Sequence, residues 1–179
     1  LIEMLDHHVG RVLEALGDNG LEENTVVIFT ADHGEALGDH GMWAKGPFHY
    51  DGVVRVPFLV RWPGRFASGK THAGVISLVD FAPTVLDIAG LPAPEGPVPP
   101  IAEAPGAPPA WPGRSLVPIL TGRDASTDGT AMIEDDQDYL GFRMRTLVTQ
   151  RYRLTAYSGQ TYGELFDLQE DPGELRNLW

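Results

Sequence analysis

Residues 25–63 read TVVIFTADHGEALGDHGMWAKGPFHYDGVVRVPFLVRWP, and the fold that we expect is built around this stretch. It opens with an apolar run, residues 26–29, of the kind that fills a strand buried on both faces of a sheet. The run stops at an Asp-His-Gly triplet, residues 32–34, and a second apolar run, residues 53–60, returns to the core. Because open α/β sheets bind ligands beyond the carboxyl ends of their strands, the triplet predicts a ligand site.

The segments around this stretch alternate between helical and extended patterns, which predicts an α/β sheet. The first helix is amphipathic, and the later helix has Ser77 or Asp80 as its cap and Gly90 as its stop. The expected elements are a helix over 2–17, a strand over 25–31, a strand over 53–61, a helix ending at Ile88 and a short helix over 114–120.

The last quarter of the chain predicts a small four-stranded antiparallel sheet. Its strands are expected at 130–134, 144–149, 152–157 and 164–168, followed by a helical turn from Asp171 to Trp179. A stretch dominated by Pro, Ala and Gly, residues 91–113, separates this sheet from the first part and predicts a surface excursion or linker. We therefore expect an α/β part over 1–90, the linker over 91–113 and a second part over 114–179.

The composition excludes several classes of partner and chemistry. The formal net charge of the 179 residues is −12, which disfavours binding to the phosphates of nucleic acid. The chain contains no Cys, so it has no disulfide, zinc-thiolate site or cysteine nucleophile of its own. No apolar run has the roughly 18 residues of a membrane span, so we expect no membrane partner, while the compartment stays open.

The residue types in the central stretch point to a metal and an anion. The Asp32 carboxylate suits hard cations such as Ca²⁺ and Mg²⁺, and the His33 imidazole suits Zn²⁺ and Mn²⁺. Two ligands are too few for a tight site, so further ligands must come from elsewhere. Lys45 on the following loop predicts an anionic group held between metal and ammonium, although most lysines are simply exposed. His49 is a candidate for acid–base or anion contacts, or for a structural role.

Other groups of polar residues favour a structural interpretation. The adjacent His7 and His8 point about 100° apart on a helix and cannot both face one metal. Asp80 and Asp87 are expected as a helix cap and a solvated residue. The acidic cluster of residues 134–138 is a weaker candidate for a cation site than for a solvated loop.

Several motifs together resemble the sulfatase family of the alkaline phosphatase superfamily. The central TVVIFTADHGEALGDHGMWAKG and RVPFLVRWPG carry most of the likeness. DHHVGRVLEAL before them, VISLVDFAPTVLDIAGLP and GRSLVPILTG after them, and YRLTAYSGQTYGELFDLQEDPGELRNL near the end extend it to nearly the whole chain. The fold that this implies is the C-terminal half of an alkaline-phosphatase-like sulfatase fold.

The resemblance implies a site for one divalent cation, Ca²⁺ in most members and Mg²⁺ or Mn²⁺ in others. Asp32 and His33 match two ligands of that cation, and Lys45 matches the lysine that contacts the sulfate group. The family's nucleophile is a formylglycine made from Cys or Ser in a C/S-x-P-S-R motif, which these residues lack. We expect that nucleophile, and the remaining ligands, in a missing N-terminal part, because the chain begins at Leu1 inside a helical pattern.

The implied function is hydrolysis of a small-molecule or glycan sulfate ester, with the chain alone inactive. Two alternatives stay open at this point. One is a phosphonate monoester or phosphodiester hydrolase of the same superfamily, and the other is a non-catalytic module that acts by binding. A chain that lacks half of its fold is also expected to self-associate through exposed apolar surface and strand edges.

Overall fold

The computed structural model describes residues 1–92, 112–127, 129–137 and 141–179, with the side chains of Gln137 and Phe142 excepted. Helices and strands alternate in the first part, and a four-stranded antiparallel sheet forms the last part. The predicted linker at 91–113 lies mostly outside the described residues, so it and the domain boundaries stay predictions.

The first helix, α1, runs over Ile2–Asp18, which confirms the helix predicted from apolar periodicity. Asn19 caps its C-terminal end, and Gly20 turns the chain with a φ of +65°. No residue of α1 is buried, and Met4, Leu5 and Val12 each expose more than half of their surface. Neither α1 nor any other helix of the described residues is long and apolar enough to cross a membrane.

Two strands follow and pair antiparallel, β1 over Val27–Thr30 and β2 over Phe58–Arg61. The register places Val27 opposite Arg61 and Thr30 opposite Phe58. The prediction that β1 is buried on both faces is wrong for this structure, since all four of its residues are half-buried. A sheet of two strands leaves its edges and much of its surface open.

The single strand predicted over 53–61 is wrong in its first half. Asp51–Val54 form one helical turn, α2, in which the N–H groups of Val53 and Val54 both donate to the Tyr50 carbonyl. The backbone N–H of Asp51 donates to the carboxylate of Glu174, which fixes the start of the turn. Glu174 lies 123 residues from Asp51 in sequence, so its contact cannot be seen in the local pattern. The apolar residues from 53 onward therefore predict only a strand.

Helix α3, Phe81–Ile88, lies where the sequence predicts it, and both proposed caps are present. Ser77 and Asp80 form a capping box, with the Ser77 N–H donating to Asp80 Oδ2 at 3.0 Å. The other oxygen of the buried Asp80 carboxylate accepts the N–H of Arg114 at 2.9 Å. Asp80 therefore joins α3 to a distant segment as well as starting the helix.

The helix predicted over 114–120 is shorter, with α4 formed by Val117–Leu120. The residues before it are used to bind α3 instead. The Leu116 N–H donates to the buried Thr84 hydroxyl at 2.9 Å, and the Ser115 hydroxyl donates to the Asp87 carboxylate. These side-chain contacts hold residues 115–116 outside the helix.

Four strands in sequence order form the antiparallel sheet that the sequence predicts. They are β3 over Ala131–Gln137, β4 over Phe142–Val148, β5 over Tyr152–Tyr157 and β6 over Gly163–Asp167. Burial alternates along β5, with Arg153, Thr155 and Tyr157 on the covered face. That face is polar for a sheet interior, because the hydroxyls of Thr146 and Thr155 lie there and hydrogen-bond at 2.7 Å.

The helical turn predicted at the end of the chain is wrong. Glu174 has a φ of +55°, in the left-handed region, which ends any right-handed helix at that point. The Asp171 carboxylate then accepts the N–H of Arg176, and the Leu178 N–H donates to the Leu165 carbonyl. The segment after Asp171 therefore turns back and lies along β6.

The double role of Asp80 leads to a stability prediction. Asp80→Ala removes the acceptors of two backbone N–H groups near a buried position, so we expect the free energy of unfolding to fall by about 2 kcal/mol. Asp87→Ala is the matched control, because its carboxylate is exposed and receives a side-chain hydroxyl. Urea unfolding followed by circular dichroism measures both, and equal losses in the two variants would contradict the assigned role of Asp80.

Candidate active site

Asp32 and His33 lie directly after β1, at its carboxyl end, as the sequence predicts. The Asp32 side chain is 89% exposed and that of His33 is 41% exposed. Asp32 Oδ1 accepts the backbone N–H of His33 at 3.0 Å, and Oδ2 lies 3.7 Å from His33 Nε2. His33 Nδ1 lies 2.7 Å from the carbonyl oxygen of Gly34. The two side chains therefore turn toward each other and face open space together.

The pKa of Asp32 is held below its ordinary value. The hydrogen bond from the His33 backbone N–H is the largest cause, and the charges of His33 and Lys45 act in the same direction. The structure brings Asp32 and His33 together, and Lys45 is exposed on the loop that follows them.

The backbone after His33 is fastened to α2. The Gly34 N–H donates to the Val53 carbonyl at 2.7 Å, and the Glu35 N–H donates to the Gly52 carbonyl at 3.0 Å. Gly34 is required by this approach, because a Cβ at position 34 would collide with the Gly52 carbonyl oxygen. The carbonyls of Gly52 and Val53 thereby hold the backbone that directly follows Asp32 and His33.

The loop between Glu35 and Pro47 carries Lys45, and backbone hydrogen bonds within residues 36–42 shape its first half. His40 has a φ of +54°, and its ring stacks on Tyr50 with centroids 3.8 Å apart. Trp43 is 79% exposed, and Lys45 is exposed as well. Gly38, Gly41 and Gly46 all have positive φ, so the loop reverses direction repeatedly and leaves Lys45 at the surface.

The structure places His49 in a different environment from the other candidates. Its ring is buried, and Nδ1 lies 2.8 Å from the Thr146 hydroxyl on β4. Burial lowers the pKa of His49, with the charge of Asp135 opposing that shift and the charge of Arg153 reinforcing it. His49 therefore contacts the four-stranded sheet, and its predicted acid–base or anion role stays a prediction.

The remaining polar groups do not assemble a metal site within the described residues. No group of three or more His, Asp or Glu side chains that could hold an ion occurs there. Glu134 and Asp136 of the acidic cluster are exposed, as expected, and pair with Arg145 at 2.7 and 2.8 Å, but they lie in strand β3 and not in the predicted loop. Asp138 lies outside the described residues.

Sequence reasoning missed the residues of the four-stranded sheet and the chain end that contact the segment next to the site. Arg153 and Glu174 are buried and both contact Asp51, on the turn that fastens Gly34. Tyr50 and Tyr157 both donate to the carboxylate of Glu164, and burial raises the pKa of each phenol. Only the alternation along β5 hints at these contacts, because it places a charged arginine on a covered face.

Comparison with known sequences gives one consistent family. A family model described as Sulfatase matches residues 1–91. An arylsulfatase of Clostridium perfringens is 32% identical over 185 residues, which cover 99% of this chain and 34% of that protein. The chain spans about a third of the length of the curated relatives it matches best.

Solved structures share the fold of the whole chain. One, described as a complex with its substrate D-glucosamine-2-N,6-O-disulfate, superposes with a TM-score of 0.81 at 28% identity, over 98% of this chain and 34% of that one. A phosphonate monoester hydrolase from Silicibacter pomeroyi superposes with a TM-score of 0.73 at 31% identity, over 96% of this chain and 34% of that one. These superpositions confirm the predicted α/β fold with its small antiparallel sheet.

The close approach at Gly34 leads to a prediction about backbone packing. In Gly34→Ala the new methyl group meets the Gly52 carbonyl, so we expect a loss of about 1–3 kcal/mol in the free energy of unfolding. Gly10→Ala is the control, because a Cβ at that helical position has open space around it. The higher helix propensity of alanine is expected to raise the free energy of unfolding by up to about 1 kcal/mol. Urea unfolding of both variants gives the comparison, and wild-type stability of Gly34→Ala would contradict the packing described here.

The buried His49 leads to a prediction about pH. Its lowered pKa keeps the folded-state imidazole neutral, while the unfolded chain takes up a proton below the ordinary value of 6.5. The stability from this residue is therefore present above pH 6.5 and is lost as the pH falls toward the folded-state pKa. When the pH is lowered from 7 to 5, we expect the free energy of unfolding to fall less in His49→Gln than in the wild-type protein.

The measurement is urea unfolding at both pH values, with His7→Gln as the control on the exposed surface of α1. A pH dependence of His49→Gln equal to that of wild type would contradict the burial of a neutral imidazole.

Proposed function

The chain belongs to the sulfatase family, whose fold is alkaline-phosphatase-like, and we propose that it supplies part of the active site of a sulfate ester hydrolase. In this proposal Asp32 and His33 ligate a divalent cation, and Lys45 binds the sulfate group. The formylglycine nucleophile and the remaining ligands lie outside these residues, since the chain has no Cys and no C/S-x-P-S-R motif.

The observation that carries the proposal is the Asp32-His33 pair at the carboxyl end of β1. Its carboxylate and imidazole face open space together, and the exposed Lys45 on the following loop contributes to the lowered pKa of Asp32. An exposed carboxylate and imidazole beyond a strand end are suited to a ligand that carries charge of its own.

The donor atoms present fit part of a site for a hard cation. The lowered pKa of Asp32 keeps its carboxylate ionised, and ionised carboxylate oxygen is a preferred ligand of Ca²⁺ and Mg²⁺. His33 adds a nitrogen, which Mn²⁺ also accepts. We propose Ca²⁺ as the ion, with Mg²⁺ and Mn²⁺ as alternatives; such an ion acts as a Lewis acid toward the sulfate oxygens.

Lys45 is placed to neutralise an anion beside that cation. Two cationic groups repel one another unless a negative charge lies between them, and a sulfate ester carries such a charge. The ammonium of Lys45 donates hydrogen bonds to sulfate oxygens and stabilises charge that grows on them during transfer. We therefore propose that the complete protein hydrolyses small-molecule or glycan sulfate esters.

A second candidate function is favoured by one comparison. The phosphonate monoester hydrolase from Silicibacter pomeroyi matches this chain at 31% identity and a TM-score of 0.73. A phosphonate monoester, like a sulfate monoester, presents a tetrahedral anionic group to the metal and to Lys45. We propose sulfate as the substrate class because the family model and the curated relatives quoted above are those of sulfatases.

The proposal predicts the behaviour of the complete gene product that carries these residues. Asp32→Ala is expected to lower kcat/KM for 4-nitrophenyl sulfate by at least about a hundredfold, because a ligand of the Lewis acid is lost. Lys45→Ala is expected to lower it by about 10²–10³, the effect of removing one donor to a developing oxyanion. Turnover is measured by release of 4-nitrophenol.

The controls use residues of the same type away from the site. Lys70→Ala changes the other lysine of the chain, on an exposed loop, and Asp18→Ala changes an exposed acid at the end of α1; both are expected to retain wild-type turnover. Wild-type turnover in Asp32→Ala would disprove the assignment. Faster turnover of a 4-nitrophenyl ester of a phosphonate than of 4-nitrophenyl sulfate would favour the second candidate function, hydrolysis of phosphonate monoesters.

A further inference from the structure

Three consecutive residues just after the lysine loop each contact the four-stranded sheet through a polar side chain. His49 Nδ1 lies 2.8 Å from the Thr146 hydroxyl, which is itself 2.7 Å from the Thr155 hydroxyl. The Tyr50 hydroxyl donates to Glu164 Oε1 at 2.7 Å. The segment 49–51 is therefore fastened to strands β4, β5 and β6 at successive positions.

The third contact, at Asp51, is made with two buried charged side chains. Arg153 and Glu174 have side chains that are each 2% exposed, and they form an ion pair with each other. Arg153 also donates to Asp51 Oδ1 at 2.7 Å, while Glu174 Oε2 accepts the Asp51 backbone N–H at 2.7 Å. The pair thus holds both the side chain and the backbone of Asp51.

This contact is unfavourable in several respects as a source of stability. Two charges lose their hydration, and Arg153 Nε has no hydrogen-bond partner within the described residues. Glu174 also adopts a left-handed backbone conformation, which is unfavourable for a residue other than glycine. Apolar side chains of similar volume commonly stabilise such a position equally well or better. What charged groups add is directional hydrogen bonding, which fixes where Asp51 lies.

The position of Asp51 is transmitted to the candidate site through two short backbone connections. The next residues, Gly52 and Val53, present the carbonyls that accept the N–H groups of Glu35 and Gly34. Those amides directly follow the Asp32-His33 pair. Lys45 precedes Asp51 by six residues, on the loop whose far end is held by the 49–51 segment. A displacement of Asp51 therefore moves the carbonyls that hold the residues after Asp32 and His33.

We propose that Arg153 and Glu174 are positioning residues, which hold Asp32, His33 and Lys45 in their catalytic arrangement by fixing Asp51 and the turn after it. The inference rests on the proposed function for its catalytic part. The structural part, that the buried pair orders residues 32–53, stands on the contacts alone.

The test compares Arg153→Met with Arg151→Met in the complete gene product. Arg151 lies on the same hairpin and pairs with Asp167 at 2.7 Å, but its partner is inside the sheet and does not contact the 49–51 segment. Methionine keeps the length and apolar character of the arginine stem while it removes the hydrogen bonds. Hydrogen–deuterium exchange of peptides covering residues 32–53 is measured for each variant, together with kcat and KM for 4-nitrophenyl sulfate.

In Arg153→Met we expect amide exchange at residues 34, 35 and 53 to become roughly tenfold faster, since their hydrogen bonds open locally. We expect kcat per folded molecule to fall about a hundredfold with little change in KM, because misplaced groups lose transition-state contacts. Arg151→Met is expected to leave both quantities within about twofold of wild type. Arg153→Lys is expected to recover part of the lost kcat, since it keeps a donor near Asp51 and Glu174.

If Arg153→Met does not fold, Glu174→Gln tests the positioning role instead. Glutamine is nearly isosteric with glutamate and keeps an acceptor for the Asp51 N–H, but it removes the charge opposite Arg153. Faster amide exchange at residues 34, 35 and 53 is expected in this variant. The positioning role is overturned by exchange over 32–53 that stays at the wild-type rate, or by equal losses in Arg151→Met. Absence of turnover in the wild-type protein refutes the proposed function instead, and the exchange measurement still decides the structural part.

Discussion

Arg153 and Glu174 form a buried ion pair at the covered face of the four-stranded sheet. Arg153 binds the side chain of Asp51, and Glu174 binds its backbone N–H. Charged groups in such a place lose hydration, and the attraction between them offsets that loss only when the geometry is good. The interaction is therefore sensitive to position in a way that apolar packing is not. Because Asp51 begins α2, and α2 fastens the residues after β1, this contact links the four-stranded sheet to the segment that carries Asp32 and His33.

The candidate site has the opposite character. Asp32, His33 and Lys45 are exposed, and the loop between them contains glycines and His40 in left-handed conformations. Backbone hydrogen bonds within residues 36–42 shape the first half of this loop, and contacts at its two ends join it to the rest of the fold. One end follows β1, and the other is fixed by the contacts of His49, Tyr50 and Asp51 with the sheet. Accessible chemistry thus lies on a segment that is firmly held at both ends.

The similarity of the chain both to sulfatases and to a phosphonate monoester hydrolase has a chemical reason. Monoanionic esters of sulfate and of phosphonate present tetrahedral oxyanions of similar size and charge. The proposed metal ligands Asp32 and His33 and the proposed anion contact Lys45 recognise charge and oxygen geometry rather than the central atom. The proposed site is therefore suited to the shared part of both reactions. Discrimination between sulfur and phosphorus requires contacts to the rest of the substrate.

The sequence alone determined the elements whose signals are local. Apolar periodicity predicts α1, the capping residues Ser77 and Asp80 predict α3, and alternation predicts the four strands of the sheet. The candidate residues of the site were also visible, because Asp32, His33 and Lys45 stand in one short stretch after an apolar run. Resemblance to sulfatases added their expected roles, which periodicity and spacing do not give.

Tertiary structure decided the features that depend on partners distant in sequence. The helical turn at Asp51 and the extended end of the chain after Glu174 both contradict local patterns, because each is fixed by contacts more than 100 residues away or by a left-handed residue. The same holds for His49, whose environment is set by Thr146, 97 positions along the chain. Local propensity is worth a few tenths of a kcal/mol per residue, whereas leaving a buried charge without its partner costs several kcal/mol, about 3–5. The sequence thus specified which residues could act, and the fold alone specified what holds them in place.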